Sequence, residues 1–206
     1  SFLEKCSCRE HLEEVGYEVV SDSVFSKISD TCTPQGVLCV LKQFHYNIEE
    51  MLRDKAPLFL LLENIQDPGN LGTMLRTGEG AGVSGIIMSR DTVDLYNPKV
   101  IRSTMGSIYR VPFYYADDFA AAVHQVQQAG VSVYAAHLRG KNSYACQDYT
   151  KGTAFLIGNE GNGLREETAE LADCYIRIPM EGKVESLNAA VASSILMYEA
   201  HRQRAI

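Results

Sequence analysis

The chain has 206 residues, 46% of them hydrophobic and 22% charged, with 19 Lys and Arg against 26 Asp and Glu for a net charge of −7. That length allows one large domain with a core, or a main domain with a smaller attachment, and the composition excludes a disordered chain, a collagen and a small disulfide scaffold. No apolar run reaches the ~20 residues of a membrane span; the longest candidate, Pro57 to Leu62, stops at Glu63.

The first residue is Ser1 and no basic start followed by an apolar stretch marks a signal peptide, so an upstream segment is expected to be absent. Cys6, Cys8, Cys32, Cys39, Cys146 and Cys174 form no C-x-x-C pair and no His-assisted spacing. No metal site is expected, and a reducing, cytoplasmic setting fits best.

In chain order, residues 9–15 read as the end of an amphipathic helix stopped by Gly16, followed by a short strand over Tyr17 to Val20. Ser21 to Ser29 follows as a helix, Pro34-Gln35-Gly36 as a turn and Val37 to Leu41 as a buried strand. This stretch is too short for a core of its own and reads as part of a small α/β domain over residues 1–45. Residues 46–56 read as a linker, in which Asn47 and Glu50 have capping-box spacing for a short helix.

From Pro57 onward the pattern becomes regular. Apolar strands are expected near 58–62, 85–89, 108–113, 131–136, 153–157 and 174–178. Helical periods lie between or after them, at Leu71 to Ala81, Pro98 to Met105, Asp117 to Ala129, Arg165 to Leu171 and Ser186 to Gln203. Such alternation predicts an α/β fold, a parallel sheet with helices on both faces. Ligands of parallel sheets sit beyond the carboxyl ends of the strands, so the loops there matter most.

Three of those loops are unusual. The first, Asn64 to Gly82, places the turn Asp67-Pro68-Gly69 before Asn70, which is well placed to cap a helix starting at Leu71, with Arg76 six residues further on. Gly80 to Gly85 matches G-x-G-x-x-G, but it ends a helix and enters a strand; a dinucleotide site needs the opposite order, which argues against a dehydrogenase. The second is GNEGNGL, Gly158 to Leu164, whose glycines let backbone approach a ligand while Glu160 discourages a phosphate. The third runs from Ile176 to Ala200, where Pro179 ends a strand and Ser186 is placed to cap a helix rich in small residues.

The net charge argues against nucleic acid, yet no acidic residue lies between Asp94 and Asp117, where Lys99, Arg102 and Arg110 stand, and Arg139, Lys141 and Lys151 are opposed only by Asp148. Phosphates respond to such local patches, although two solvated faces would look the same.

Together, the three segments resemble the motifs of the SpoU/TrmH family of RNA ribose 2′-O-methyltransferases, within the SPOUT class. The likeness spans residues 57–206, including Asn97 to Phe113, and residues 17–41 are similar to the distal part of the ribosomal-protein-like RNA-binding domain that many members carry. The resemblance implies a C-terminal trefoil knot, a homodimer with the last helix in its interface, S-adenosylmethionine as cofactor and a structured RNA, ribosomal or transfer, as substrate. Carried over by motif, Gly158, Ile178 and Leu187 are expected to contact the cofactor through backbone, with Asn159, Glu160 and Met180 lining the loops and Ala136 and His137 nearby.

The resemblance implies a catalytic role for Arg76. A guanidinium stays charged throughout the biological range and accepts protons poorly, so phosphate binding and stabilisation of charge on the 2′ oxygen suit it better than general-base work. Asn70, Glu160, Ser186 and Asn188 would orient Arg76, the substrate or the adjoining loop, with Glu160 the expected carboxylate partner of an Arg. Lys99, Arg102, Arg110, Arg139 and Lys141 are the candidate RNA contacts. Ala189-Ala190 departs from the family's usual residues and touches only interface packing. Two other readings are base-nitrogen methylation by the same fold and an RNA-binding protein without turnover.

Overall fold

Five consecutive apolar residues, Leu58 to Leu62, can all be buried only if both faces of their sheet are covered. The computed structural model, which describes residues 9–29 and 31–205, buries all five completely. Residues 1–8 with Cys6 and Cys8, Asp30 and Ile206 lie outside the described residues.

The chain divides into two units between Phe44 and His45. The second holds seven parallel strands: β1 (Leu58–Leu62), β2 (Gly85–Ser89), β3 (Phe113–Ala116), β4 (Ser132–Ala136), β5 (Asn142–Ser143), β6 (Thr153–Ile157) and β7 (Cys174–Arg177). Their spatial order is β3-β2-β1-β6-β4-β7-β5, so β6 lies between β1 and β4, and β7 between β4 and β5. The parallel α/β architecture is the one expected.

Pairing, rather than hydropathy alone, selected the third strand. Ile108 and Val111, expected in a strand over 108–113, instead sit buried in and just after a 3-10 turn, Ser107–Tyr109. The strand begins after Pro112, whose carbonyl accepts from the Ile86 N–H at 3.0 Å. The two-residue β5 carries too little pattern to be read from sequence.

Helices cover both faces. Phe59, Leu61, Ile87, Val133, Ala135, Ala154 and Leu156 point to one side, where they meet Ala122, Val123 and Val126 of the helix Phe119–Gln128 and Ala169 of Glu166–Ala169. Ile48 and Met51 of the helix Ile48–Met51 complete that core, so residues 46–56, expected as a linker, belong to the sheet unit. In chain order from residue 9 the helices are α1 (Arg9–Val15), α2 (Asp22–Ile28), α3 (Ile48–Met51), α4 (Pro68–Ala81), α5 (Pro98–Ser103), α6 (Phe119–Gln128), α7 (Glu166–Ala169) and α8 (Ala189–Arg204). On the other side α4 packs on both α5 and α8, and α8 on β6. Gly72 lets α4 and α5 touch: a Cβ there would lie 1.9 Å from Ser103 Oγ.

Two helix starts differ from expectation. Helix α4 begins at Pro68, capped by Asp67 Oδ1, which accepts from Asn70 N–H at 2.7 Å, so Asn70 is not the cap. Helix α8 is capped by Asn188 rather than Ser186, its Oδ1 accepting from the N–H groups of Ala190 and Val191. In both cases the residue directly before the first helical position takes the orphan N–H groups.

In the first unit, α1 ends at Gly16, which adopts φ +83°, and α2 is capped by Ser21. The strands expected at 17–20 and 37–41 are absent among its described residues, and Val19 and Val40 are 79% and 90% exposed. Short apolar runs without a neighbouring strand to pair with do not hold an extended ladder.

The end of α8 fastens the beginning of the sheet. The Arg204 guanidinium donates to the carbonyls of Tyr149 (2.8 Å), Ala56 (2.8 Å), Pro57 (3.2 Å) and Lys151 (2.6 Å), bracketing the entries to β1 and β6. Arg204→Ala removes these four hydrogen bonds, two of them part-buried, and is expected to lower stability by about 2–3 kcal/mol in urea unfolding.

Candidate active site

Strands β1, β6, β4 and β7 deliver their carboxyl ends to one edge of the sheet, and the loops leaving them meet around Glu160. Its carboxylate accepts from three donors at the start of α4: Gln66 N–H (3.1 Å), Asp67 N–H (3.0 Å) and Asn70 Nδ2 (3.0 Å). An anion at a helix N-terminus is favoured by the unpaired N–H groups and the helix dipole. Burial by itself would raise the Glu160 carboxyl, but the bonds from Asn70, Gln66 and Asp67 outweigh it and hold the group below its usual range. Among the described residues no Arg pairs with Glu160; backbone amides and an asparagine hold it.

The chain of amides continues. Asn188 donates from Nδ2 to Asn70 Oδ1 at 2.9 Å while its own Oδ1 caps α8. Because Asp67 relieves Asn70 of capping, both ends of the Asn70 amide are free to link Glu160 with Asn188. The resulting polar cleft of about 640 Å³ is lined by Gln66, Asp67, Pro68, Asn70, Asn159, Glu160, Gly161 and Asn188. Gln66 was not singled out in the sequence, and Asp67 only as the first residue of the Asp67-Pro68-Gly69 turn.

A second, more apolar cavity of about 270 Å³ opens on the other side of the same loop. All seven residues expected at the cofactor line it: Ala136, His137, Gly158, Asn159, Ile178, Met180 and Leu187. Glu160 and Ser186 join them, together with Leu138, Leu164, Glu185 and Ala192, which sequence reasoning missed because no local motif marks them.

Gly158 is required by its surroundings. A Cβ there would lie 2.2 Å from Gly163 C and Leu164 N, because the loop folds back on itself through mutual N–H to carbonyl bonds between Asn159 and Gly163. The Asn159 side chain holds this hairpin: Oδ1 accepts from Gly161 and Asn162 N–H, both at 3.0 Å, and Nδ2 donates to Asn64 O at 2.8 Å. Asn159, expected to line the cofactor loops, therefore has its amide committed to shaping them. Buried Glu63, at the end of β1, braces the far end of the loop by accepting from Arg165 N–H at 2.8 Å and Thr168 Oγ1 at 2.5 Å.

His137 follows β4 with its ring tilted against Tyr175 at a centroid distance of 5.0 Å. Its Nδ1 accepts from Arg139 N–H at 3.1 Å. Burial first, and the Arg139 charge second, push its pKa below 6.5, so the ring is neutral at pH 7.

The cations divide into two groups. Arg110 holds Glu79 and Arg139 holds Glu166, whereas Lys99, Arg102, Lys141 and Arg76 are exposed and make no side-chain ion pair among the described residues. Arg76 lines neither cavity; it lies on the outer face of α4, six residues and therefore about 9 Å along the axis from Asn70.

Asn159→Ala removes three hydrogen bonds from the loop but none from the sheet. Amide exchange at Gly161 and Asn162 is expected to accelerate strongly, while urea unfolding registers a loss of only about 1–2 kcal/mol.

The SpoU rRNA methylase family model matches residues 57–198. The Bacillus subtilis 23S rRNA (guanosine(2553)-2'-O)-methyltransferase RlmP is 35% identical over 180 residues, covering 87% of this chain and 70% of that protein. The crystal structure of AdoMet-bound rRNA methyltransferase from Sinorhizobium meliloti superposes with a TM-score of 0.80 at 36% identity, covering 88% of this chain and 70% of that one. The SpoU methyltransferase AviRb from Streptomyces viridochromogenes, in complex with AdoMet, gives a TM-score of 0.86 at 25% identity over 97% of this chain and 79% of that one. With two loops meeting at Glu160, a glycine hairpin beside an apolar cavity and a family match across most of the sheet unit, the chain belongs to the SpoU methylase family.

Proposed function

We propose that this chain transfers a methyl group from S-adenosylmethionine to a ribose 2′-hydroxyl of a structured RNA, ribosomal or transfer. The observation that carries the reading is a shared wall: Asn159, Glu160 and Gly161 line both cavities. A donor on the apolar side and a sugar on the polar side would meet across one loop. The relatives named as a 23S rRNA 2'-O-methyltransferase and an AdoMet-bound rRNA methyltransferase support the same assignment.

The cavity suits such a donor. Its volume approaches the ~300 Å³ lower end of small-molecule clefts, Gly158 leaves backbone rather than side chain at its wall, and Leu138, Ile178, Met180 and Leu187 supply apolar surface. When bound, S-adenosylmethionine supplies a methyl group on a positively charged sulfur. Gly158, Ile178 and Leu187 would hold it largely through backbone, with Asn159, Met180, Ala136 and His137 around them. The neutral His137 adds no charge beside a cation.

Arg76 serves as the charge that binds a target phosphate and stabilises the developing 2′ oxyanion; it is exposed and makes no side-chain ion pair among the described residues, which leaves it available. The Glu160 carboxyl, held below its usual range, is a poor proton acceptor at neutral pH and acts by fixing Asn70 and the start of α4. Asn188 and Ser186 orient the sugar or the 178–188 segment. Lys99, Arg102 and Lys141 take RNA phosphates; Arg110 and Arg139, each already holding a carboxylate, have fewer donors to offer.

Residues 1–45 act as part of an RNA-binding domain and 57–206 as the methyltransferase domain. The 178–188 segment threads a trefoil knot, a reading supported by β7 lying between β4 and β5 before α8 returns to pack on α4 and β6. The protein is a homodimer through α8, on which Val191 and Tyr198 stand 48% and 50% exposed. It works in the cytoplasm, where the free Cys32, Cys39, Cys146 and Cys174 would stay reduced.

Incubation with unmodified ribosomal and transfer RNA, followed by mass spectrometry of the labelled nucleosides, tests the assignment; methyl on a base would defeat it, and no transfer to either RNA would favour a binding protein without turnover. Arg76→Ala is expected to lower the transfer rate about 100-fold or more while calorimetric S-adenosylmethionine affinity stays within two-fold. Equal loss of both would make Arg76 structural.

His137 gives the pH dependence. Its folded pKa lies below the unfolded 6.5, so the stability it contributes is present above about pH 6.5 and lost as pH falls through the lower folded value. Protonation also sets a cation beside the sulfonium. Cofactor affinity is expected to be flat from pH 7 to 8 and about five-fold weaker once the ring is charged, as for ~1 kcal/mol of like-charge repulsion in a solvated cleft. His137→Gln should bind with a flatter pH profile.

A further inference from the structure

Helix α4 carries one acidic residue, Glu79, three positions after Arg76. Side chains so spaced are neighbours, with Cβ atoms ~5–6 Å apart, and opposite charges in that relation pair. Left to themselves, Arg76 and Glu79 would partly neutralise each other and draw the guanidinium along the helix surface.

Glu79 is turned away instead. Its Oε1 accepts from Arg110 Nε, and its Oε2 accepts from Arg110 Nη2 at 3.0 Å and from Ser107 Oγ at 2.5 Å. The fork of a guanidinium matches a carboxylate in this two-point way, and the hydroxyl adds a third hydrogen bond. The segment carrying both donors is built for the purpose: Ser107 is buried, and Gly106 at φ +89° runs alongside the Arg110 guanidinium, where a Cβ would touch Nη1 at 3.4 Å. The Arg110 and Ser107 hydrogen bonds hold the Glu79 carboxyl at about 2, so Glu79 is an anion throughout any assay range.

We infer that Arg110 is a positioning residue which, by occupying Glu79, keeps the Arg76 guanidinium free for the RNA. The inference rests on the role proposed for Arg76 and moves Arg110 from a phosphate contact to an internal partner. It also gives the segment between α5 and β3 a function: it presents Ser107 and Arg110 to Glu79 of α4.

The test is a double-mutant cycle read as single-turnover methyl transfer at saturating RNA and S-adenosylmethionine. Arg110→Ala should slow transfer about two- to six-fold, the range expected when an exposed ion pair sequesters Arg76. Glu79→Gln alone should be near wild type, and Arg110→Ala with Glu79→Gln should recover most of the rate. The Arg110→Ala deficit should shrink as salt screens the unwanted pair, and calorimetric cofactor affinity should be the same in all variants. If thermal unfolding shows Arg110→Ala to be misfolded, Arg110→Gln replaces it in the cycle.

A double variant as slow as Arg110→Ala would overturn the inference and make Arg110 a direct RNA contact or a structural residue. Arg110→Ala at the wild-type rate beside an inactive Arg76→Ala would overturn it while leaving the Arg76 role intact. Full activity in Arg76→Ala would remove both.

Discussion

The carboxylate of Glu160 gathers donors that belong to a different part of the sheet: two backbone amides and one side-chain amide at the beginning of α4, 90 to 94 residues away in sequence. A helix start leaves its first N–H groups without partners, and an anion placed there satisfies them while interacting favourably with the dipole. Because Glu160 sits inside the glycine hairpin, the same contact fixes that hairpin against β1 and, through Asn70, reaches Asn188 at the start of α8. The polar cleft, the apolar cavity and the orientation of two helices all depend on this one negative charge.

The hairpin can meet Glu160's partners only because its backbone is compressed. Gly158 leaves no space for a side chain, and Asn159 turns the chain by accepting from the Gly161 and Asn162 amides while donating back to Asn64. Asn64 itself is left-handed at φ +54°, a conformation asparagine tolerates better than most residues. Buried Glu63 then secures the exit of the hairpin at Arg165 and Thr168. Two adjacent residues leaving β1 thus brace both ends of a loop that leaves β6, which is possible because β1 and β6 are neighbours in register.

Charge is arranged in the same local manner. A chain of net charge −7 would repel RNA if its charges were smeared evenly. Here several carboxylates are engaged within the protein, by Arg90, Arg110, Arg139, Arg165 and Arg202, while Lys99, Arg102, Lys141 and Arg76 stay outside that pairing. Polyanion binding responds to unpaired cations near the surface more than to the total.

Much of this was legible from residue order alone. The β/α alternation and the cavity-forming loops could be read because strands buried on both faces leave unbroken apolar runs, and loops with Gly, Asn and Glu at close spacing stand out beside them; the individual residues around the apolar cavity came from the resemblance to the SpoU/TrmH motifs. What the order of residues could not decide was competition between neighbours for the same groups: Asp67 over Asn70 and Asn188 over Ser186 as caps, Gln66, Asp67 and Asn70 as the partners of Glu160, and Glu79 as the carboxylate held by Arg110. Nor could it tell that the apolar residues at 17–20 and 37–41 lack paired strands, or that 46–56 enters the core. Those outcomes depend on which groups the parallel sheet brings within hydrogen-bonding distance, a relation between residues far apart in the chain that only tertiary structure defines.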